Sequence, residues 1–552
     1  MINIEKDLVN LIREALKKTF PDAYDKVAEG ILLDVPKEKR FGDFSTNIAM
    51  KLSKELKKPP FDIANIIKEG LIGVNESAKL EITDIRIERP GFINFYMSNK
   101  GACDLLKGVI ETGDRFGSSS IGNCKKVQIE FVSANPTGPL TVAHGRQAAI
   151  GDSLARILKF CGYDVTKEYY INDEGVQIHA LGKSLKARYA ELGGENQDFP
   201  ENGYKGSYIY DIAQKLKDSG AAKRGFAPLS DDFFMAHATK EIMATITKDL
   251  EDFGVSFDVW YSQKTLTQSG KIEKALNTLK EKGYLYEKDG ATWFRSTDFG
   301  DDKDRVIIKN DGTYTYITPD IAYHKEKFEH GYNRIINIWG PDHHGYISRI
   351  KAACQALGYD KEKLSIIIAQ LVTLYRDGKP VKMSTREGEF VTLREIMDEV
   401  GRDAARFFFI MRRTESHLDF DLALAKAQTL DNPVYYIQYA HARIVSIMGF
   451  SKNEKLGLEN LALLDKPKEI DLIKTLAQYP KIIEVSAQNL EPCILLTYLQ
   501  DTARSFHSYY NAYRIVTDDK PLTEARIALI FAVKKVLASG LGLLGVTALD
   551  SM

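Results

Sequence analysis

The sequence predicts an α/β protein built on a doubly wound, mostly parallel sheet, and three observations carry that prediction. First, VQIEFV at Val127 is a β-branched, apolar run of the length of a buried parallel strand. A loop rich in Ser, Asn, Pro and Gly follows from Ser133 to Pro139, then helical spacing with Ile150, Leu154, Ile157, Leu158 and Cys161 on one face. Gly162 stops that helix and DVTKEYYI reads as a second strand. Second, strand-like and helical runs go on alternating further along, at TWF, RVIIK, TYTYI, RIINIWG and IIIAQLVTL. Third, long helical periods take over from Ile396 to the end.

The elements follow in order. Residues 1–110 are expected to form a small α+β unit. Leu8, Leu11, Ile12 and Leu16 lie on one helix face, a turn falls at Gly42-Asp43, and LEITDIRIERPGFINFYMS alternates as two strands broken at Pro90-Gly91. The polar stretch ETGDRFGSSSIGNCKK is a natural boundary. The α/β domain is then expected over 122–395, interrupted by a mostly helical insertion at about 182–257. NPVYYIQYAHARIVSIM, ILLTYLQDTARSFHSYYNAYR and ARIALIFAVKKVLASGLGLL predict an all-α bundle over 396–552. Its tyrosines 435, 436, 439, 509, 510 and 513 interleave with Arg443, Arg504 and Arg514. Such rings either fill the bundle core or stack exposed bases, and the pattern alone favours core.

Composition excludes several classes. Hydrophobic content of 44% and charged content of 27% are those of an ordinary folded protein. The five cysteines are scattered without a CxxC pair, which argues for reduced thiols and against structural zinc. No apolar run approaches a membrane span, the charged first residues MINIEKDLVNLIREAL do not read as a secretory signal, and a cytoplasmic protein is expected. A net charge of −1 does not announce a nucleic-acid binder.

LTVAHGRQAAIGDSL resembles the HIGH region of the class I aminoacyl-tRNA synthetases, and SANPTGPL with YYINDEGVQI resembles the bacterial-type arginyl-tRNA synthetases. Thr141 stands at the motif's first His and Ala143 at its Gly, while His144 keeps its identity. GKPVKMSTREGEFVTL resembles the KMSKS loop, with Lys382 retained, Thr385 at the second Lys and Arg386 directly after it. GDFSTNIAM and PGFINFYM are similar to the family's N-terminal additional domain, NPVYYIQYAHAR and GLGLLGVTALDSM to its anticodon-binding domain. The resemblance runs from end to end and implies a class I Rossmann-type catalytic domain, a unit that contacts the tRNA elbow and an anticodon-binding bundle.

It also implies a site. The matching positions put Thr141, Ala143, His144, Gly145, His344, Lys382, Met383 and Ser384 around ATP. His144, Lys382, Thr141 and Arg386 would serve the chemistry. A mobile cationic loop suits a step in which pyrophosphate gathers negative charge. Glu130, Asn135, Tyr316 and Asp320 match the family's arginine-binding positions, and a carboxylate at Asp320 would accept two parallel bonds from a guanidinium. The bland alternative for Asp320 is a first-turn carboxylate opposing a helix dipole. His343 and His344 are adjacent and would not face one point on a helix, so no metal site is expected. The implied activity is arginine–tRNA ligation with Mg-ATP, L-arginine and tRNA-Arg as partners, by a monomer. The rival is a non-catalytic tRNA-binding paralogue that keeps the bundle and loses the chemistry.

Overall fold

The computed structural model describes residues 4–36, 38–75, 82–97, 99–195, 197–220, 230–381, 391–450 and 456–552. Five parallel strands form its central sheet: β1 (Lys126–Glu130), β2 (Asp164–Ile171), β3 (Val259–Ser262), β4 (Arg334–Trp339) and β5 (Leu364–Ile368). Their spatial order is 3-2-1-4-5. Chain direction across the sheet therefore reverses between β1 and β4, and the crevice outside their carboxyl ends is where such sheets bind ligands. Helix α1 (Val142–Phe160) returns the chain from β1 to β2. Its predicted apolar face, Ile150, Leu154, Ile157, Leu158 and Cys161, is buried, and Gly162 ends it with φ +82°.

Two insertions interrupt the sheet. Helices α2 (Val176–Gly193), α3 (Ser207–Asp218) and α4 (Asp231–Asp252) lie between β2 and β3, so the helical insertion falls inside the first half of the sheet. Between β3 and β4 stands a second, mixed insertion. Its strands Leu285–Lys288, Ala291–Phe294 and Arg305–Ile308 make an antiparallel sheet of their own. This corrects the expectation that TWF and RVIIK belong to the central sheet. TYTYI is not a strand either: Tyr314 makes one bridge to Ile308, and Tyr316 caps α5 (Ile317–Glu329). After β4 a short 3-10 segment, Pro341–Tyr346, leads into α6 (Ile347–Leu357). IIIAQLVTL also divides, into β5 and a strand Val372–Arg376 that pairs in parallel with Leu418–Asp421.

Helix α7 (Arg402–Phe409) precedes the bundle of α8 (Pro433–Phe450), α9 (Pro467–Ala477), α10 (Tyr479–Asn489), α11 (Cys493–Ala512) and α12 (Lys520–Leu543). One continuous apolar core runs from Leu106 through α1 to Val546 and so joins the sheet to the bundle. The N-terminal unit has a separate core of Leu8, Ile12, Ile48, Ile67, Phe95 and their neighbours. Its predicted turn holds: Gly42 has φ +83°, and a Cβ there would sit 2.5 Å from Phe95 O. A third core packs the second insertion against α5, α6 and the outer face of the sheet.

A buried ionic node ties sheet to bundle. Arg406 of α7, fully buried, donates to Asp152 of α1 at 2.8 Å, to Phe253 O at 3.1 Å and to Leu544 O at 3.2 Å. Lys167 of β2 and Arg156 also reach Asp152, and Ser153 donates to the same Leu544 carbonyl. Burial pushes the Asp152 pKa up, but the three cations more than offset it and hold it below the ordinary value. Gly545, with φ +70°, is required here because a Cβ would lie 2.2 Å from the Arg406 guanidinium.

Candidate active site at the carboxyl edge of the sheet

Helix α1 begins one loop beyond the carboxyl end of β1. Thr141 is extended at its N-cap and His144 is the third residue in. The Thr141 backbone N–H donates to His144 Nδ1 at 3.1 Å, with the Thr141 hydroxyl 3.2 Å from the same atom. Because Nδ1 accepts, the ring proton is assigned to Nε2. Burial pushes the His144 pKa down to about 4 against the pull of Asp342, so the ring is neutral at pH 7. A neutral N–H donor thus stands at the positive end of a helix whose first N–H, that of Val142, is given to Val391 O at 3.4 Å, and the dipole and the imidazole together suit a phosphate. Ala143 is exposed. Gly145 is buried, and a Cβ there would come within 2.8 Å of Leu393 and 3.0 Å of Phe409, so packing alone demands glycine.

The same helix start holds both flanks of the 382–390 segment. Arg146, buried, donates to Gln370 O at 2.7 Å and Arg413 O at 3.0 Å, just before the strand Val372–Arg376. On the other side, Leu393 N donates to Leu140 O at 2.8 Å, and Thr141 and Thr392 form an antiparallel bridge. Lys382, Met383, Ser384 and Arg386 lie outside the described residues.

The second half of the crevice is built by α5. Asp320 lies in its first turn and accepts a hydrogen bond from Tyr346 at 2.8 Å. Among the described residues it has no cationic partner within ion-pair distance. Burial, helped by repulsion from Glu130, pushes its pKa up to about 7 in spite of the Tyr346 hydrogen bond. Aromatic rings surround it: Tyr316 lies 6.1 Å from Tyr346 between centroids, and Tyr346 lies 6.1 Å from Trp339 at the end of β4. Tyr316 itself is 63% exposed, at the mouth. Glu130, at the end of β1, is ion-paired with Lys327 of α5 and accepts from Ser133 at 2.9 Å. Asn135 donates to Gln177 of α2 at 2.8 Å, fixing the β1 loop against that helix. His344 is exposed in the 3-10 segment beside the crevice.

The description "tRNA synthetases class I (R), catalytic domain" matches residues 107–425, "Arginyl tRNA synthetase N terminal domain" matches 6–97, and "DALR anticodon binding domain" matches 437–552. An arginine–tRNA ligase of Geobacillus kaustophilus is 47% identical over 558 residues, covering 100% of this chain and 99% of its own. This chain belongs to the arginyl-tRNA synthetase family. A second relative, the arginine–tRNA ligase of Citrifermentans bemidjiense, is 48% identical over 535 residues and 95% of each chain. The structure of the Thermus thermophilus arginyl-tRNA synthetase, 20% identical, shares the fold over the full length of both chains with a TM-score of 0.75. Nothing in these matches favours a non-catalytic paralogue.

The synthetase brings Glu130, Tyr316 and Asp320 to the carboxyl edge of the sheet, with His144 and Thr141 at the adjacent helix start. Sequence reasoning missed Lys327, His324, Asn337, Tyr346 and Trp339. One signal was available: Asp320, His324 and Lys327 repeat at i, i+4 and i+7, a stripe of ionisable residues on a helix whose other buried residues are Ile317, Thr318, Ile321, Ala322 and Tyr323. No helix among the described residues is long and apolar enough to cross a membrane, and no group of three or more His, Cys, Asp or Glu among them is placed to hold a metal ion.

Proposed function

We propose that the synthetase activates L-arginine with Mg-ATP and transfers it to the terminal ribose of tRNA-Arg, acting as a monomer in the cytoplasm. The observation that carries the amino-acid assignment is Asp320, a carboxylate among aromatic rings with one hydroxyl donor and, among the described residues, no ion-paired cation. A guanidinium supplies the missing charge, matches both oxygens with parallel donors and stacks on rings. Tyr316 flanks the methylenes, and Glu130 with Asn135 serves the α-amino end.

In the first step a carboxylate oxygen of arginine forms a bond to the α-phosphorus of ATP, and the bond to the pyrophosphate oxygen breaks. In the second, a ribose hydroxyl adds to the activated carbonyl carbon, loses its proton and displaces AMP. Neither step needs a covalent enzyme intermediate, so the work is positioning and charge stabilisation. His144 offers its Nε2–H to a phosphate oxygen, Thr141 holds the ring by its backbone, and Lys382 with Arg386 meets the charge on departing pyrophosphate. Met383, Ser384, Ala143, Gly145 and His344 shape the nucleotide pocket. ATP–pyrophosphate exchange, run with and without tRNA, tests the assignment. Exchange is expected with arginine and not with lysine; absence of arginine-dependent exchange in both conditions overturns it.

A further inference from the structure

Lys327 is a buried lysine in contact with the crevice yet shielded from it. Its side chain is 2% exposed, and its ammonium reaches three partners. It pairs with Glu130 Oε2, donates to Asn337 Oδ1 of β4 at 3.0 Å and lies 4.4 Å from the centroid of the Tyr323 ring. The amide of Asn337 faces His324 Nε2 at 2.9 Å, and His324 Nδ1 faces the Asp320 carbonyl at 2.8 Å. Since a carbonyl can only accept, Nδ1 carries the proton and Nε2 accepts from Asn337. Burial and the nearby ammonium push the His324 pKa down to about 4, so this ring is a neutral spacer. The atoms that link Glu130, Lys327, Asn337 and His324 to the Asp320 backbone carbonyl are thus paired, which fixes the geometry of that chain and leaves the Asp320 carboxylate with Tyr346 alone.

The charges facing this network come from every element around it. β1 contributes Glu130. β2 contributes Glu168, which accepts from Tyr323 and whose pKa burial pushes up, and Tyr170, whose hydroxyl is turned to Gln263. α5 contributes Asp320, Tyr323, His324 and Lys327, with Tyr316 at its cap. The segment after β4 contributes Tyr346 and the carboxylate of Asp342, which faces Tyr316 and His144. α6 contributes the buried Cys354, its thiol pushed up to about 12, and Arg349, whose guanidinium lies 5.5 Å from the centroid of the Tyr346 ring. Of the two cations among these groups, Lys327 is the one hydrogen-bonded into the network, and it is spent on Glu130, while Arg349 lies over the Tyr346 ring. Among the described residues neither is ion-paired with Asp320.

We propose that Lys327 is the internal counter-charge of the amino-acid pocket, a positioning residue that keeps Glu130 ionised and aimed, so that the pocket is completed only by a cation on the side chain of its ligand. The proposal rests on the reading of the crevice as the arginine site. Its consequence is countable in protons. With Lys327 present, one carboxyl, Asp320, has to be ionised before a cationic amino acid binds. Without it, Glu130 becomes a second buried carboxyl with no cation, which takes up a proton instead. Two coupled ionisations then precede binding.

The test is the pH dependence of kcat/KM for arginine in tRNA-supplemented ATP–pyrophosphate exchange, which reports groups of the free enzyme. The parent is expected to show a limiting acid slope of one on logarithmic axes, and Lys327→Met a slope of two with its rise displaced to higher pH. A purely structural lysine would lower activity without changing the slope, and a slope of one in Lys327→Met overturns the proposal. A second comparison does not depend on that variant folding. Glu130→Gln leaves Lys327 as an unpaired cation opposing the ligand, so adding Lys327→Met to Glu130→Gln should raise kcat/KM for arginine at least about threefold, a coupling of opposite sign to ordinary additive damage. No recovery in the double variant overturns the proposal as well. A parent enzyme without arginine-dependent exchange would instead refute the assignment of the site itself.

Discussion

Asp320 sits where its charge is disfavoured. A pKa moved from 3.8 to about 7 corresponds to about 4 kcal/mol against the ionised form in the empty site. In the pocket proposed above, the free site below pH 7 holds a proton that a guanidinium must displace. The value of kcat/KM for arginine should therefore fall about tenfold per pH unit below about 7 and level off above it. The folded carboxyl binds its proton more tightly than the unfolded one, so Asp320 costs stability progressively as pH rises from about 4 to 7, with the full cost above that window. Asp320→Asn should raise Tm at pH 8 while reducing arginine use by at least ~100-fold, with tRNA binding close to normal. An unchanged kcat/KM in that variant would move guanidinium recognition elsewhere. His144 is fixed through the Thr141 backbone, not mainly through its hydroxyl. Hence Thr141→Ala should be mild, whereas His144→Ala should slow adenylate formation by roughly 10²–10³-fold in single-turnover measurements, as loss of a preorganised donor does.

At the scale of elements, α1 is pressed onto the strand before it so closely that size is the constraint. A Cβ at Gly151 would meet the Phe131 ring at 2.3 Å. Gly151→Ala should cost about 1–3 kcal/mol of stability by overpacking, read from denaturant midpoints. The β1–α1–β2 unit was legible because its periods, 2 and 3.6, are set by local burial. The second insertion was not. Its strands are four residues long and half exposed, and composition says that they are strands without saying which sheet they join. The run from Leu364 onward breaks at Gln370 because Arg146, more than 200 residues away in sequence, takes that carbonyl. The crevice proposed as the arginine pocket shows the same unevenness. Asp320 and Glu130 follow from motif position, but Lys327 reads in sequence as one more charge among those of AYHKEKFEH. Only the fold turns it inward.

In the whole molecule, apolar burial is divided unevenly between the three cores. Arg406→Met removes the guanidinium that joins α1, the end of α4 and the residue after α12. Breaking a buried pair in this way should cost about 3–5 kcal/mol. The loss should appear in the transition of the sheet and bundle together, with the N-terminal unit melting at its usual temperature. A single shared shift of all transitions would show instead that the three cores unfold as one. The Leu544 carbonyl, accepting at once from Ser153 and Arg406, has a consequence for exchanging parts between relatives. A chimaera that swaps the N-terminal unit, with its own core and its Asp43–Lys474 ion pair, has one surface to match. A chimaera that swaps the bundle must import Leu544 and a glycine behind it in register with Arg406, or the first catalytic helix loses its far anchor.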